Sequence, residues 1–436
     1  MASVAEELIY RPSVPPVPQS IEDTGLNRGF LSDLVLKLVY LGGELSAQRI
    51  ADELCLPFIN VLDQILAFLK HETFLTISGG GSFGDQSLEY HVTERGAARA
   101  REAMLRSQYV GPAPVPLDRY TEFVVRQSVS EVTVRHEQVL EAFSHLVLPR
   151  KVLDLLGPAI NSGRSIFIYG EPGGGKTTIA EGIAHLLGGA IHVPHAIDID
   201  GHIIKVFDAQ HHEPIGNANS PEPLAPERLA SRADRRWVPC KRPAVAVGGE
   251  LTLASLDLIY DPVVGFYEAP LQLKANGGMM LIDDFGRQQV RPVDLLNRWM
   301  VPLEKRKDYL SLHTGKKIDI PFEVLIVFST NIAPRELVDE AFLRRIRHKV
   351  EILSPTVDEF REIFQRVCAA RDIQFNERAF EHLIEEWYTR EGREMRGVHP
   401  RDLIEQVIDI CKYYGEPPTM TAEHLDQACD SYFVRL

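Results

Sequence analysis

Residues 164–178 read RSIFIYGEPGGGKTT, and this stretch decides the fold. The apolar run 164–170 predicts a short buried strand, and the pattern TTIAEGIAHLL from Thr177 predicts a helix. Between them, GEPGGGKTT matches G-x-x-x-x-G-K-[ST], a loop whose backbone N–H groups surround phosphate oxygens where a helix begins. The sequence therefore predicts a phosphate-binding loop made of Gly170, Glu171, Pro172, Gly173, Gly174, Gly175, Lys176, Thr177 and Thr178.

A second stretch supplies the acidic groups that such a loop requires. MMLIDDF at 279–285 is an apolar strand that ends in two carboxylates. Beside the loop, Lys176 is expected to reach the β- and γ-phosphates, while Thr177 and Asp283 hold Mg²⁺. Asp284 is then placed to orient or deprotonate the attacking water. ATP and Mg²⁺ are the expected ligands.

The apolar strands also predict the fold class. FEVLIVFSTN at 322–331 is a third continuous apolar run, and helical patterns separate the three runs. Strands of this kind that alternate with helices indicate an α/β fold with a mostly parallel sheet covered on both faces. From Pro355 onward the pattern is that of amphipathic helices only, which predicts a helical C-terminal domain.

With these motifs in this order, residues 128–436 resemble the AAA+ family of P-loop ATPases. Asn331 in FSTN resembles the sensor-1 residue, which contacts the γ-phosphate or the attacking water. DEAFLRRIRHKVEI resembles the arginine-finger segment and favours Arg345, with Arg344 second, acting on the nucleotide of a neighbouring subunit. GVHPRDLIEQ resembles the start of the sensor-2 helix, with Arg401 reaching over the phosphates from a helical lid. The resemblance implies a ring oligomer, with six subunits expected.

One residue departs from the family pattern. Most AAA+ proteins have Asp-Glu where this chain has Asp283-Asp284, and helicase-loader relatives with a similar IDD pattern remain ATPases. Hydrolysis is therefore expected, at a rate that the shorter side chain lowers. The alternating runs around HTGK in 308–323, a hairpin ahead of sensor 1, resemble instead the MoxR-like and chelatase-like branch. Both branches stay open.

The N-terminal residues predict a separate small domain. Helical patterns from Phe30, Ser46 and Pro57 are followed by two alternating runs, FLTIS and SLEYHVT, which predict a hairpin. Three helices and a hairpin resemble a winged-helix domain, whose third helix reads DNA in many relatives. Its outward positions here carry one acid against one base, so protein contact or a structural role is favoured over DNA binding; these positions are Asn60, Asp63, Gln64, Ala67 and Lys70.

These patterns divide the chain into five parts. The expected parts are a flexible arm (1–25), a winged-helix-like domain (26–108), a proline-rich linker (109–127), an AAA+ α/β core (128–354) with an insertion at about 198–272, and a helical lid (355–436).

The insertion contains a basic segment around Trp237. This segment spans residues 231–243, and its basic residues are Arg232, Arg235, Arg236, Lys241 and Arg242. It could grip a polypeptide or a nucleic-acid strand. The favoured alternative is a contact with an acidic face of a neighbouring subunit.

Composition excludes several classes of protein. The 436 residues are 44% apolar and carry 47 basic against 61 acidic side chains, a formal net charge of −14, which argues against a uniformly basic nucleic-acid surface. No apolar run approaches the length of a membrane helix, and the N-terminus lacks a signal-peptide pattern, so a cytoplasmic location is expected. The five scattered cysteines predict reduced thiols.

The function expected from the sequence is ATP hydrolysis that remodels or chaperones a protein partner. Two alternatives remain: an AAA+ ATPase that handles nucleic acid, of the helicase-loader or transposition-accessory type, and a scaffold that binds ATP with little turnover. The sequence identifies no client.

Overall fold

The computed structural model describes residues 14–80, 85–215, 233–337 and 340–433. The first elements in chain order are α1 (Arg28–Gly42), β1 (Leu45–Ser46), α2 (Ala47–Glu53), α3 (Asp63–His71), β2 (Leu75–Gly80), β3 (Leu88–Val92) and α4 (Glu94–Arg106). The strands pair antiparallel in the order β1-β3-β2. Helix α1 is fixed at its start by Asn27, whose side chain accepts the Phe30 N–H, and its apolar face packs on α3 and α4.

Residues 14–25, expected in the flexible arm, are packed in the structure. A 3₁₀ turn spans Glu22–Thr24, and Ile21 and Thr24 are buried. The preceding Pro16 forms an isolated β-bridge with Ala233 of the insertion. Residues 1–13 lie outside the described part of the chain.

The central part of the chain holds most of the strands. In chain order its elements are β4 (Val115–Pro116), α5 (Leu117–Arg126), α6 (His136–Ala142), α7 (Arg150–Asn161), β5 (Ser165–Gly170), α8 (Lys176–Leu187), β6 (Ala190–Pro194), β7 (Ala196–Ile199), β8 (His202–Lys205), β9 (Trp237–Lys241), β10 (Ala244–Val247), β11 (Ile259–Asp261), β12 (Phe266–Glu268), α9 (Leu271–Lys274), β13 (Met279–Ile282), α10 (Pro292–Lys305), β14 (Lys307–Ser311), β15 (Lys317–Pro321), β16 (Leu325–Thr330), α11 (Pro334–Leu337), α12 (Glu340–Leu343) and β17 (His348–Ile352).

Five of these strands form a parallel sheet in the order β10-β13-β16-β5-β17. Leu156 and Ile183, on α7 and α8, belong to the core on one face, and Trp299 on α10 belongs to the core on the other. Because both faces are covered, the three inner strands β13, β16 and β5 are mostly apolar and buried. The three predicted apolar strands are β5, β13 and β16, and the predicted α/β fold with a parallel sheet covered on both faces is confirmed.

The insertion differs in its bounds from the expected 198–272. Strand β10, inside that range, is an edge strand of the parallel sheet. Around it, β4, β7, β8, β12 and β11 form a second, mixed sheet, and β6 pairs with β9. The expected linker also contributes: β4 and α5 fall within 109–127, and Tyr120 on α5 is fully buried.

The basic segment is held to the protein itself. Arg236 is buried against Asp234, and its Nη1 donates to the Thr24 and Pro114 carbonyls. The other described charges are also paired: Arg235 with Asp52, Lys241 with Glu213, and Arg242 with the Gln127 and Gly277 carbonyls. Arg235, Arg236 and Arg242 thus join the insertion to other parts of the same chain, whereas the sequence favoured a contact with a neighbouring subunit over a gripping surface. Arg232 lies outside the described residues.

The C-terminal part, expected to be a lid and called the lid below, consists of helices. They are α13 (Val357–Ala370), α14 (Glu377–Leu383), α15 (His399–Tyr414) and α16 (Ala422–Tyr432). A core of Phe360, Phe364, Phe380 and Leu403 holds them together. Among all described helices, none has the length and apolar character needed to cross a bilayer. The five cysteines are free thiols, and four of them are buried.

Candidate phosphate site

The loop after β5 has the shape of a phosphate cradle. Gly173 and Gly175 have φ values of 78° and 81°, a left-handed conformation that side chains disfavour. Helix α8 begins at Lys176, directly after the loop, so its free N–H groups and positive dipole end lie there. Gly170 must also be a glycine, since a Cβ there would lie 2.0 Å from the Ile352 carbonyl oxygen. Pro172 and Thr178 lie in the same loop and first helical turn, as predicted.

The side chain of Lys176 is positioned by hydrogen bonds to the phosphate loop itself. Its side chain is buried, and its Nζ donates to the carbonyls of Gly170 and Glu171 at 2.9 Å each. Burial lowers the pKa of Lys176, while Asp283, Asp284 and Glu171 oppose that shift. The ammonium therefore lies among acceptors at the end of β5, where phosphate oxygens would compete for its protons.

The two aspartates occupy different conformations at the end of β13. Asp283 accepts a hydrogen bond from the Thr177 hydroxyl at 2.9 Å, which brings together the two side chains expected to hold Mg²⁺. Asp284 is exposed and has a φ of 49°. The Gln288 amide donates to the carbonyls of Asp283 and Asp284 at 2.8 and 3.1 Å and so fixes this turn.

Asn331 follows β16, the strand between β5 and β13. In the register of the sheet, Thr330 lies opposite Tyr169 of β5, which places Asn331 at the same edge as the loop and the aspartates. Its Oδ1 is buried and accepts no hydrogen bond among the described residues. A buried polar atom without a partner is costly, so this amide is suited to a ligand or a water at that edge.

Arg344 and Arg345 lie at the opposite end of the same sheet. Ser165, the first residue of β5, donates its hydroxyl to the Arg345 carbonyl at 3.4 Å, and Arg345 pairs with Glu304 at 3.6 Å. A strand of six residues spans about 17 Å, so neither arginine lies near the phosphate loop of its own chain. They face a cavity of about 370 Å³ lined by Arg164, Leu303, Glu304, Arg344, Arg345 and Arg347.

The lid contacts the loop through a residue that sequence reasoning missed. Arg401 is exposed, and its guanidinium pairs with Asp402. Arg396 instead pairs with Glu171 of the loop at 3.8 Å, and the Val398 N–H donates to the Gly173 carbonyl at 3.0 Å. The signal available in the sequence was the Arg-Gly pair of MRGVHP, where a glycine permits close approach of two backbones.

Comparisons with known proteins give a match to a protein family in the C-terminal part of the chain. Residues 356–431, which contain the lid helices, match a family described as a domain of unknown function, DUF8689. A comparison with curated proteins finds no significant match.

Solved structures give matches of low identity. The RuvB Holliday junction branch migration motor of Thermotoga maritima is 15% identical over 75% of this chain and 73% of its own, with a TM-score of 0.35. NtrX from Brucella abortus, in complex with ADP, is 13% identical over 79% of this chain and 60% of its own, with a TM-score of 0.39. The assignment of the fold rests on the parallel sheet and the loop geometry given above.

Proposed function

We propose that this chain is an ATPase that works as a ring oligomer and uses ATP hydrolysis to remodel a protein partner. The observation that carries the proposal is the hydrogen bond between Thr177 and Asp283, formed beside the Lys176 cradle. A glycine loop alone binds phosphate, but a hydroxyl and a carboxylate brought together at its helix are the oxygen ligands that Mg²⁺ accepts.

The residues present fit a magnesium nucleotide. Thr177 and Asp283 would hold the ion, with phosphate oxygens and water as its remaining ligands. The ion, when bound, neutralises charge on the phosphates. The loop N–H groups and the Lys176 ammonium bind the β- and γ-phosphates and hold the γ-phosphorus in place.

Asp284 and Asn331 are proposed to act on the water. The Asp284 carboxylate accepts a proton from the water as its oxygen bonds to the γ-phosphorus and the bond to the β,γ-bridging oxygen breaks. The Asn331 amide orients that water or the γ-phosphate. ADP and inorganic phosphate are the products. Gln288 supports this step by holding the turn that aims the shorter Asp284 side chain.

The arginine finger is proposed to come from a neighbouring subunit. Arg345, with Arg344 beside it, lies about one strand length from the loop of its own chain. Such a guanidinium can stabilise transition-state charge only on another chain's nucleotide, and the site is therefore complete only in an oligomer. Six subunits are the expected number.

A protein client is favoured over nucleic acid because the basic segment is internally paired. Arg235 and Arg236 contact Asp52 and Asp234, so they offer little free positive charge to a phosphate backbone. The net charge of −14 acts in the same direction. Movement of the lid against the core is the proposed route by which nucleotide state reaches the client.

Steady-state ATP hydrolysis over a range of protein concentrations tests the proposal. Lys176→Ala and Asp284→Asn are expected to lower turnover at least a hundredfold. The matched controls are Lys241→Ala and Asp319→Asn, two exposed and paired residues outside the site, which should keep wild-type turnover. ATP binding without turnover at any concentration would refute the ATPase and favour the scaffold.

A mixing experiment tests the trans-acting finger separately. Arg345→Ala and Lys176→Ala are each expected to be inactive, but a mixed ring contains interfaces where an intact loop meets an intact finger. Recovery of turnover on mixing is the expected result. If the mixture stays inactive while the two variants co-assemble, the trans-acting role of Arg345 is wrong.

A further inference from the structure

The lid meets the phosphate loop at one small contact, formed by residues 396–398. Arg396 and Glu171 form an ion pair of 3.8 Å in which the side chains are 38% and 55% exposed. Next to it, the Val398 N–H donates to the Gly173 carbonyl at 3.0 Å. We call residues 396–398 the lid loop.

The two backbones are in direct van der Waals contact at this point. A Cβ on Gly173 would lie 2.5 Å from Cγ1 of Val398, and a Cβ on Gly397 would lie 3.3 Å from the Gly173 carbonyl oxygen. No space separates the lid loop from the phosphate loop. A shift of the backbone in either loop is therefore transmitted to the other.

The ion pair has an unusual partner on the loop side. Glu171 is the one acidic residue in 170–178, whose backbone N–H groups and Lys176 ammonium attract anions. Its carbonyl accepts from Lys176, so its backbone lies against the phosphate cradle. A nucleoside triphosphate brings several negative charges to this cradle, and these repel the Glu171 carboxylate and attract the Arg396 guanidinium.

We infer that Arg396 exchanges Glu171 for the phosphates when ATP binds, so that the Glu171–Arg396 pair is a latch that couples nucleotide binding to the position of the lid. The inference rests on the proposed function, since it requires ATP in the loop. An exposed pair at 3.8 Å is weak enough to be exchanged, whereas guanidinium bonds to phosphate are strong and bidentate.

Arg401 is less suited to this first contact. Its Nε and Nη2 both donate to Asp402 at 3.1 Å, and its side chain is 61% exposed. Asp402 is held in turn by the Tyr432 hydroxyl at 2.9 Å. Arg396 already touches the loop, so it reaches the phosphates with the smaller movement.

The test compares the affinity of the full chain for ATPγS with Mg²⁺, measured by calorimetry, in four proteins. Glu171→Gln removes the repulsion and releases Arg396, and we expect it to bind ATPγS roughly threefold more tightly. Arg396→Gln removes a phosphate contact, and we expect binding about tenfold weaker. Arg396→Gln should lower the ATPγS affinity by a larger factor in the Glu171→Gln background than in wild type, because no carboxylate there competes with the phosphates for Arg396.

Controls and contrary outcomes are defined by the same measurement. Arg371→Gln breaks a lid pair of similar exposure, Arg371 with Glu405, and should leave ATPγS affinity unchanged. If both single variants and the double variant weaken binding equally, the pair is a static structural contact and the inference is wrong. Unchanged affinity in Arg396→Gln also overturns it. Absence of binding by wild type would overturn the proposed function and the inference together.

Discussion

Replacement of Arg236 should destabilise the protein strongly, although it lies in a segment that resembles an exposed basic surface. Its side chain and that of Asp234 are each 4% exposed. Its Nε and Nη2 donate to the Asp234 carboxylate at 2.8–3.1 Å, and its Nη1 donates to the Thr24 carbonyl at 2.8 Å. Arg236→Ala leaves a buried carboxylate without its cation and a buried carbonyl without its donor.

The structure sets the size of this effect. Removal of one partner from a buried ion pair costs about 3–5 kcal/mol, because the remaining charge is left in a medium of low polarity. Arg235→Ala is the matched control: that arginine pairs with Asp52 at 2.8 Å, but the two side chains are 53% and 47% exposed, and such pairs contribute up to about 1 kcal/mol.

Urea unfolding followed by tryptophan fluorescence measures the difference. Trp237 is the next residue along the chain, is buried, and lies 5.3 Å from the Phe123 ring, so its emission reports on this region. Replacing both partners, Asp234→Leu with Arg236→Met, should cost less than Arg236→Ala alone. If Arg236→Ala is no less stable than Arg235→Ala and loses only binding to DNA or polypeptide, the assigned structural role is wrong.

Two further predictions concern the lid. Gly173→Ala should weaken ATPγS binding at least tenfold, because a left-handed φ costs a side chain about 1–2 kcal/mol and the new Cβ meets Val398. The control Gly415→Ala has a similar φ of 73° and nothing within 4 Å of its new Cβ, so it should leave the affinity unchanged. Equal ATPγS affinities of the two variants would refute the steric reasoning. Burial lowers the pKa of His399 to about 4, so its neutral form stabilises the lid above about pH 6.5. Stability should fall by up to about 3 kcal/mol as pH drops from about 6.5 to about 4, and His399→Gln should flatten this dependence in urea unfolding; parallel curves would contradict it.

The sequence was sufficient to predict the elements whose conformation is determined by residues close together in the chain. Strands β5, β13 and β16 are mostly apolar because both faces of the sheet are covered, and this pattern needs no knowledge of distant residues. The phosphate loop is equally local, since glycines with positive φ and a following helix lie within a few residues. Residues 307–321 form the predicted antiparallel hairpin for the same reason.

Elements that depend on distant partners could not be predicted. Strand β10, with the sequence AVAV, alternates between exposed and buried positions, and only its pairing with β13 makes it part of the sheet. The local sequence predicts that Arg236 is a surface charge, but in the fold it donates to the carbonyl of Thr24, which is 212 residues away. Pairing over such separations is set by the whole fold, so local charge and hydropathy are uninformative about it.

The choice between the two lid arginines shows the same limit at the site itself. Resemblance selects Arg401 because it stands at the start of helix α15, but a helix position alone does not fix what the side chain contacts. Contact with the phosphate loop is decided by Gly173, whose missing Cβ admits Val398 and so brings Arg396 beside Glu171. The glycine loop therefore has two surfaces, one shaped for phosphate and one for the lid. A substitution at Gly173 acts on both of them at once, whereas a substitution at Glu171 changes the charge between them and leaves the backbone in place.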